Sequence, residues 1–187
     1  MKTITITKKD LDKDNFYKEP EIGTWDNYEN VSVVIEENLG YVRFKKGVYV
    51  NGSVLAEAGS GIEAGDGIKA GLGIEAGEGI KAGSGIEAGL GIKAGLGIEA
   101  GDGITSLYSW IRAKLAVTFS TSCTISAGIF STSGAQDIEC QEINGGKVIY
   151  GNLKLLPKEN RTKKDLLSKA DELIAKANEL KEEANKL

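Results

Sequence analysis

IEAGDG IKAGLG IEAGEG IKAGSG IEAGLG IKAGLG IEAGDG I, residues 62–104, repeats six residues without a break and decides the fold. Isoleucine returns at 62, 68, 74, 80, 86, 92, 98 and 104. A short fixed period of this kind is the signature of stacked repeats. Within each copy Ile and Ala are two apart, so on a strand they share one face and the intervening Glu or Lys points the other way. Gly-x-Gly then supplies a permissive backbone for a corner. A three-residue strand cannot bury an isoleucine alone. Stacked copies can, and the expected product is a continuous Ile and Ala core.

The outward residue fixes how many copies close one coil. It alternates through Glu63, Lys69, Glu75, Lys81, Glu87, Lys93 and Glu99. Coils of two or four copies would stack residues 12 or 24 apart and place like charge on like. A coil of three stacks residues 18 apart, giving Glu63–Lys81–Glu99, Lys69–Glu87 and Glu75–Lys93. Opposed charges across a sheet favour pairing by a few tenths to about 1 kcal/mol, and like charges cost similar amounts. Three sides are therefore expected. The same spacing sorts the corners into Ser60–Glu78–Leu96, Asp66–Ser84–Asp102 and Leu72–Leu90. One corner thus carries two leucines in register, where scattered surface leucines would carry no meaning. A Gly-rich linker would have no use for invariant isoleucine.

Either side of the repeats the rhythm changes. Residues 1–55 read as an N-terminal β cap, with Ile4 and Ile6, Val31 to Ile35, and Val42 and Phe44 in strands. Asp10, Asp12 and Asp14 have the start of a calcium-loop spacing but lack its glycine and terminal glutamate, which favours a solvated turn. Ala56 to Gly61 reads as a degenerate first repeat, so the solenoid is set at 56–104. Residues 105–156 read as a C-terminal β cap. Ile111, Ala113, Leu115, Val117 and Phe119 are expected to face inward, with Cys123, Ile125, Ala127 and Ile129 continuing the alternation. Asn144-Gly-Gly turns the chain toward Val148, Tyr150, Leu153 and Leu155. Caps are what repeat arrays need in order not to stack end to end.

Residues 162–187 read as an amphipathic α-helix opened by Thr162 and Asp165. Leu166, Ala170, Leu173, Ala177, Leu180, Ala184 and Leu187 recur at heptad spacing, and three Glu or Asp residues precede a Lys by four. Three uses stay open: packing on its own solenoid, pairing as a short coiled coil in a homodimer, or docking a partner. The fold class expected is mainly β, a three-sided parallel β-helix with β caps and a C-terminal helix.

Repeats of Gly-Ile-Glu-Ala-Gly, followed by Ala127-Gly-Ile-Phe and by Ile138-Glu-Cys and Ile143-Asn-Gly-Gly-Lys-Val-Ile-Tyr-Gly, resemble a group of hexapeptide-repeat β-solenoid proteins of bacteria and their phages. The resemblance covers residues 1–155. It implies a phage or prophage origin and no known activity.

Chemistry is constrained by what the chain lacks. It holds 187 residues and no histidine, which removes the general base used by hexapeptide β-helix acyltransferases and leaves no Ser-His or Cys-His pair. Cys123 and Cys140 are too few for a disulfide framework or a metal site, and read as free thiols on strands. Glu36 and Glu37 are adjacent, so on a strand they face opposite ways and cannot work as a couple. No catalytic, cofactor or metal residue is expected, and the chain reads as non-enzymatic. A net charge of −4, concentrated in the repeats, argues against direct nucleic-acid binding. The absence of a signal-like apolar run or membrane span gives a cytoplasmic expectation.

The remaining bet is a surface. Leu72, Leu90 and Leu96 are candidate protein contacts, with Tyr108, Trp110 and Trp25 as aromatic anchors and Leu166, Leu173 and Leu180 on the helix. The expected function is a protein-binding module, in its sharpest form a phage inhibitor of a host defence or nucleic-acid enzyme that blocks a surface. The alternative is an assembly protein that multimerises through stacked solenoids or the helix.

Overall fold

The computed structural model describes residues 1–157, apart from Pro20, Trp25 and Thr121. Three parallel sheets wrap one core. The first face has eight strands: Lys2–Ile6, Val31–Ile35, Val54–Ala56, Ile74–Ala76, Ile92–Ala94, Ile111–Ala113, Asp137–Cys140 and Asn152–Leu155. The second has six: Gly40–Phe44, Ser60–Ala64, Ile80–Ala82, Ile98–Ala100, Ala116–Phe119 and Glu142–Asn144. The third has Val48–Val50, Ile68–Ala70, Ile86–Ala88, Ile104–Ser106, Thr124–Ala127 and Lys147–Tyr150. From Val31 onward successive strands of the chain pass to successive faces, so each bonds to the one a full coil away, while Lys2–Ile6 pairs with the next strand, Val31–Ile35, on the same face. The segments on either side of the repeats add strands to these same sheets.

The register is the one the charges require. Ile62 lies on Ile80 and Ile80 on Ile98, and Glu63, Lys81 and Glu99 follow in step. Glu75 lies on Lys93 and Lys69 on Glu87. Lys69 and Glu87 form an ion pair of 2.8 Å, Lys81 and Glu99 one of 3.4 Å, and Lys93 bonds Glu75. Burial pushes the Lys69 ammonium down, but the Glu87 carboxylate and the Tyr28 hydroxyl more than offset this and hold it above its ordinary value. These pairs select the register and contribute little to stability beside the core, since half-exposed ion pairs are worth roughly 0–1 kcal/mol. Each repeat isoleucine from Ile62 to Ile104 is buried to within 1%, which is worth about 1.5–3 kcal/mol per side chain.

The repeat glycines serve a different purpose from the expected one. None adopts a positive φ. The first glycine of each corner instead sits under the coil before it: a Cβ on Gly83 would stand 2.0 Å from the Gly65 carbonyl oxygen, and one on Gly95 1.9 Å from that of Gly77. Close approach of stacked backbones excludes any side chain there. Left-handed glycines occur where the six-residue step fails, as at Gly59 (φ 71°) and Gly128 (φ 77°). Gly59 lengthens its corner, so the first-coil strand is Val54–Ala56, which pairs with Ile74–Ala76 and displaces the degenerate repeat expected from Ala56.

Beyond Ile104 the expected long alternation is broken into two strands on different faces, Ile111–Ala113 and Ala116–Phe119. Leu115 therefore lies in a corner and is 44% exposed rather than inward. Ile129, also expected inward, follows Gly128 out of its strand and is 39% exposed. Cys140 is buried on its strand, where burial raises its thiol pKa, and Cys123 is half-buried just before Thr124; both are free.

The N-terminal end is closed by residues 7–30. Leu11 and Ile22 enter the core, and bridges Phe16–Arg43, Ile22–Val48 and Glu29–Val50 cover strand edges of the second and third faces. The aspartates expected in a solvated turn build it. Asp10 accepts from the Thr7 amide (2.9 Å) and hydroxyl (2.8 Å), and Asp12 accepts from the amides of Asp14 and Phe16 at 2.9 Å.

The coiled coil expected from the heptad spacing is not part of this architecture. Heptad spacing describes one helical stripe and supplies no second helix to meet it, and the described residues are strands whose one helical turn is Lys8–Asp10. The helix expected over 162–187, with Leu166, Leu173 and Leu180, lies outside the described residues, as does Trp25.

Candidate protein-binding edge

The corner between the third and first faces carries a row of apolar side chains. Leu72 and Leu90 occupy the middle of their Gly-Leu-Gly corners and stack through the Leu90 amide, which donates to the Leu72 carbonyl at 3.1 Å. The next corner is one residue longer, Leu107-Tyr108-Ser109-Trp110, and its Tyr108 amide donates to the Gly89 carbonyl at 2.9 Å. Phe130 follows in the next coil, its amide donating to the Leu107 carbonyl at 2.8 Å. Tyr108 and Phe130 meet with ring centroids 5.9 Å apart at 50°, a tilted pairing that suits aromatic quadrupoles. Leu72, Leu90, Tyr108 and Phe130 are between 40% and 60% exposed.

The extra residue in the Tyr108 corner puts Trp110 where the preceding coil has Gly91. Its indole lies across that glycine, since a Cβ there would fall 2.9 Å from the ring. Arg112 lies over the indole at 4.7 Å from the ring and pairs with Glu139 at 2.9 Å. Trp110 thus closes one end of a groove of about 360 Å³, lined by Leu55, Leu72, Leu90 and Gly91, with Glu75 as its charged wall.

Of the residues picked from sequence, the structure brings Leu72, Leu90, Tyr108 and Trp110 together. Leu96 is elsewhere. It stacks on Leu115 at the corner between the first and second faces, where the Leu115 amide donates to the Leu96 carbonyl at 3.1 Å. Phe130, Leu55 and Leu115 were not foreseen. Leu55 was recoverable in principle, as the outward residue of Val-Leu-Ala. Phe130 was not, because two irregular corners separate it from the last regular repeat.

Among the described residues no group of three or more His, Cys, Asp or Glu side chains could hold a metal ion, and no helix is long and apolar enough to cross a membrane. Comparison with family models, curated proteins and solved structures finds no match to this chain. The chain is a β-solenoid of three parallel sheets. What it does must be argued from its surface.

Proposed function

We propose that the chain is a non-enzymatic protein-binding module whose contact surface is the Leu72–Leu90–Tyr108–Phe130 edge with the groove closed by Trp110. One observation carries this reading: four large apolar side chains stand exposed in a single row on a backbone ladder that holds them in place. A row of anchors ordered before binding avoids much of the entropy that association otherwise costs. Aromatic anchors beside a pocket are the usual centre of binding energy at protein interfaces.

In its sharpest form the module is a phage-encoded inhibitor that blocks the surface of a host defence or nucleic-acid enzyme, in the cytoplasm of the cell that makes it. The resemblance of the repeats and tail to bacterial and phage proteins supports that origin. Surface blocking is favoured over imitation of DNA, because Lys69, Lys81 and Lys93 each pair with a glutamate and neutralise much of the acidic field of the repeats. A photo-crosslinking residue at position 90 should capture one defined protein that the same residue at position 78 does not. Identical capture from both positions would refute the assignment of the edge.

A second reading, an assembly protein, rests on a different feature. Leu153 and Leu155 continue the rows of Ile138 and Cys140, which are fully buried, yet are 43% and 62% exposed. Among the described residues no further strand pairs with this last one, Asn152–Leu155, which favours association of solenoid ends. Light scattering separates the two readings: a stable monomer excludes the assembly reading, and large or fibrous species support it.

A further inference from the structure

The second glycine of each Gly-x-Gly lines up from coil to coil, and each line of glycines leaves a furrow along one edge of the solenoid. Each furrow is occupied over part of its length by an aromatic ring of the same chain. Tyr41 lies across Gly61 and Gly79, Tyr49 across Gly47 and Gly67, and Trp110 across Gly91. In both tyrosines the hydroxyl also reaches a glycine. The Gly67 amide donates to the Tyr49 hydroxyl at 3.2 Å in a buried bond, and the Tyr41 hydroxyl lies over Gly79, 2.2 Å from where a Cβ there would stand. The furrow is therefore an element that the molecule already uses twice to seat a tyrosine ring on flat glycine backbone, and at Gly67 the outward amide also meets the hydroxyl.

Beyond Tyr49 the same furrow runs on over Gly85 and Gly103 with no ring in it. The Gly85 and Gly103 amides donate to no acceptor among the described residues, whereas Gly67 in the same line is satisfied by Tyr49. This length forms a slot of about 390 Å³. Tyr49 closes one end, Lys69, Glu87 and Thr105 form one wall, and Ser84 and Asp102 form the other. Two carboxylates against one ammonium disfavour an anionic ligand, so the acceptor that suits these amides is neutral. An apolar ring alone would leave the amides unpaired, which is costly once water is excluded.

We propose that the Gly85–Gly103 slot binds a tyrosine side chain of a partner protein, its ring on the glycine backbone and its hydroxyl accepting from a glycine amide. The phenol O–H can donate in turn to the Asp102 carboxylate at the wall. This site lies on a different edge from Leu72 and Leu90, so it stands or falls separately from the binding edge proposed above.

The test uses the full chain labelled with nitrogen-15 and p-cresol, the tyrosine side chain as a free molecule. Titration should shift the Gly85 and Gly103 amide signals saturably, and toluene, which lacks the hydroxyl, should bind at least tenfold more weakly. Two variants check the geometry. Gly85→Ala places a methyl in the slot at a tolerable 3.3 Å from the Gly103 carbonyl oxygen and should weaken p-cresol at least tenfold. Glu87→Tyr puts a ring two coils from Tyr49 on the same face, where it should fill the slot from within and abolish the response. Gly85 and Gly103 signals that p-cresol leaves unmoved, an equal response to toluene, or a Glu87→Tyr chain that still responds would each overturn the proposal.

Discussion

Replacing the two glycines around Ser84 one at a time separates close approach from conformational freedom as the reason glycine recurs. In Gly83→Ala the new Cβ would lie 2.0 Å from the Gly65 carbonyl oxygen, where real contacts essentially never fall below 3.0 Å. The backbone must give by about 1 Å against a strand spacing of roughly 4.8 Å. That displacement disrupts the bond from the Gly83 amide to the Ala64 carbonyl, 2.9 Å long. Loss of this bond at an exposed corner costs about 0.5–1.5 kcal/mol and overpacking about 1–3 kcal/mol, so a loss of about 2–4 kcal/mol is expected. In Gly85→Ala the closest approach is 3.3 Å, and the smaller unfolded-state entropy of alanine returns about 0.4–1 kcal/mol. Its net effect should stay within about 1 kcal/mol of zero. Urea denaturation followed by circular dichroism measures both, with the slope checked for constancy. Equal losses in the two variants would refute the close-approach account.

The charge ladder predicts that Lys69→Glu, which faces Glu87 across the sheet with Tyr49 on its other side, destabilises by about 0.5–1 kcal/mol, and that adding Glu87→Lys restores most of it; a double-mutant cycle at low and high salt reads the coupling. The N-terminal turn should loosen in acid. The amide bonds from Thr7 to Asp10 and from Phe16 to Asp12 hold both carboxyls below their ordinary value of 3.8. A pKa lowered by folding contributes stability that is complete above 3.8 and disappears as pH falls through the folded value. Amide exchange at Thr7 and Phe16 should therefore accelerate, relative to core amides, only below pH 3.8. Thiol labelling of the native chain should modify Cys123 and spare Cys140, which is fully buried, until the protein unfolds.

The sequence carries the period of the solenoid, its three sides and its ladders, because each is a property of residues at fixed spacing. Ile62 to Ile104 repeat without interruption, and the Glu and Lys between them admit one favourable stacking. Legibility stops where the step of six stops. The four-residue corner 107–110 and the left-handed Gly128 each shift the phase, which hides Phe130 and Ile129, while the corner at Leu115 lacks the Gly-x-Gly of the others, so an inward alternation reads straight through it. The role of the glycines was hidden for a different reason. Conformational freedom and close approach both select glycine, and only the position of the neighbouring carbonyl distinguishes them. Tyr41 and Tyr49 gave no signal, since nothing local shows that their rings reach across glycines of the adjacent coil. Leu72 and Leu90 were found because their register follows from the repeat alone.

The binding edge is tested most directly by the affinity of the protein captured at position 90 for the Leu72→Ser/Leu90→Ser variant, with Glu78→Ser as control on another edge. Each leucine is already 40–48% exposed, and burying the remainder is worth about 1 kcal/mol. Together the two substitutions should weaken binding by roughly 10- to 100-fold, while the control binds as the unaltered chain does. Unchanged affinity of the double variant, with its fold intact, would contradict the account.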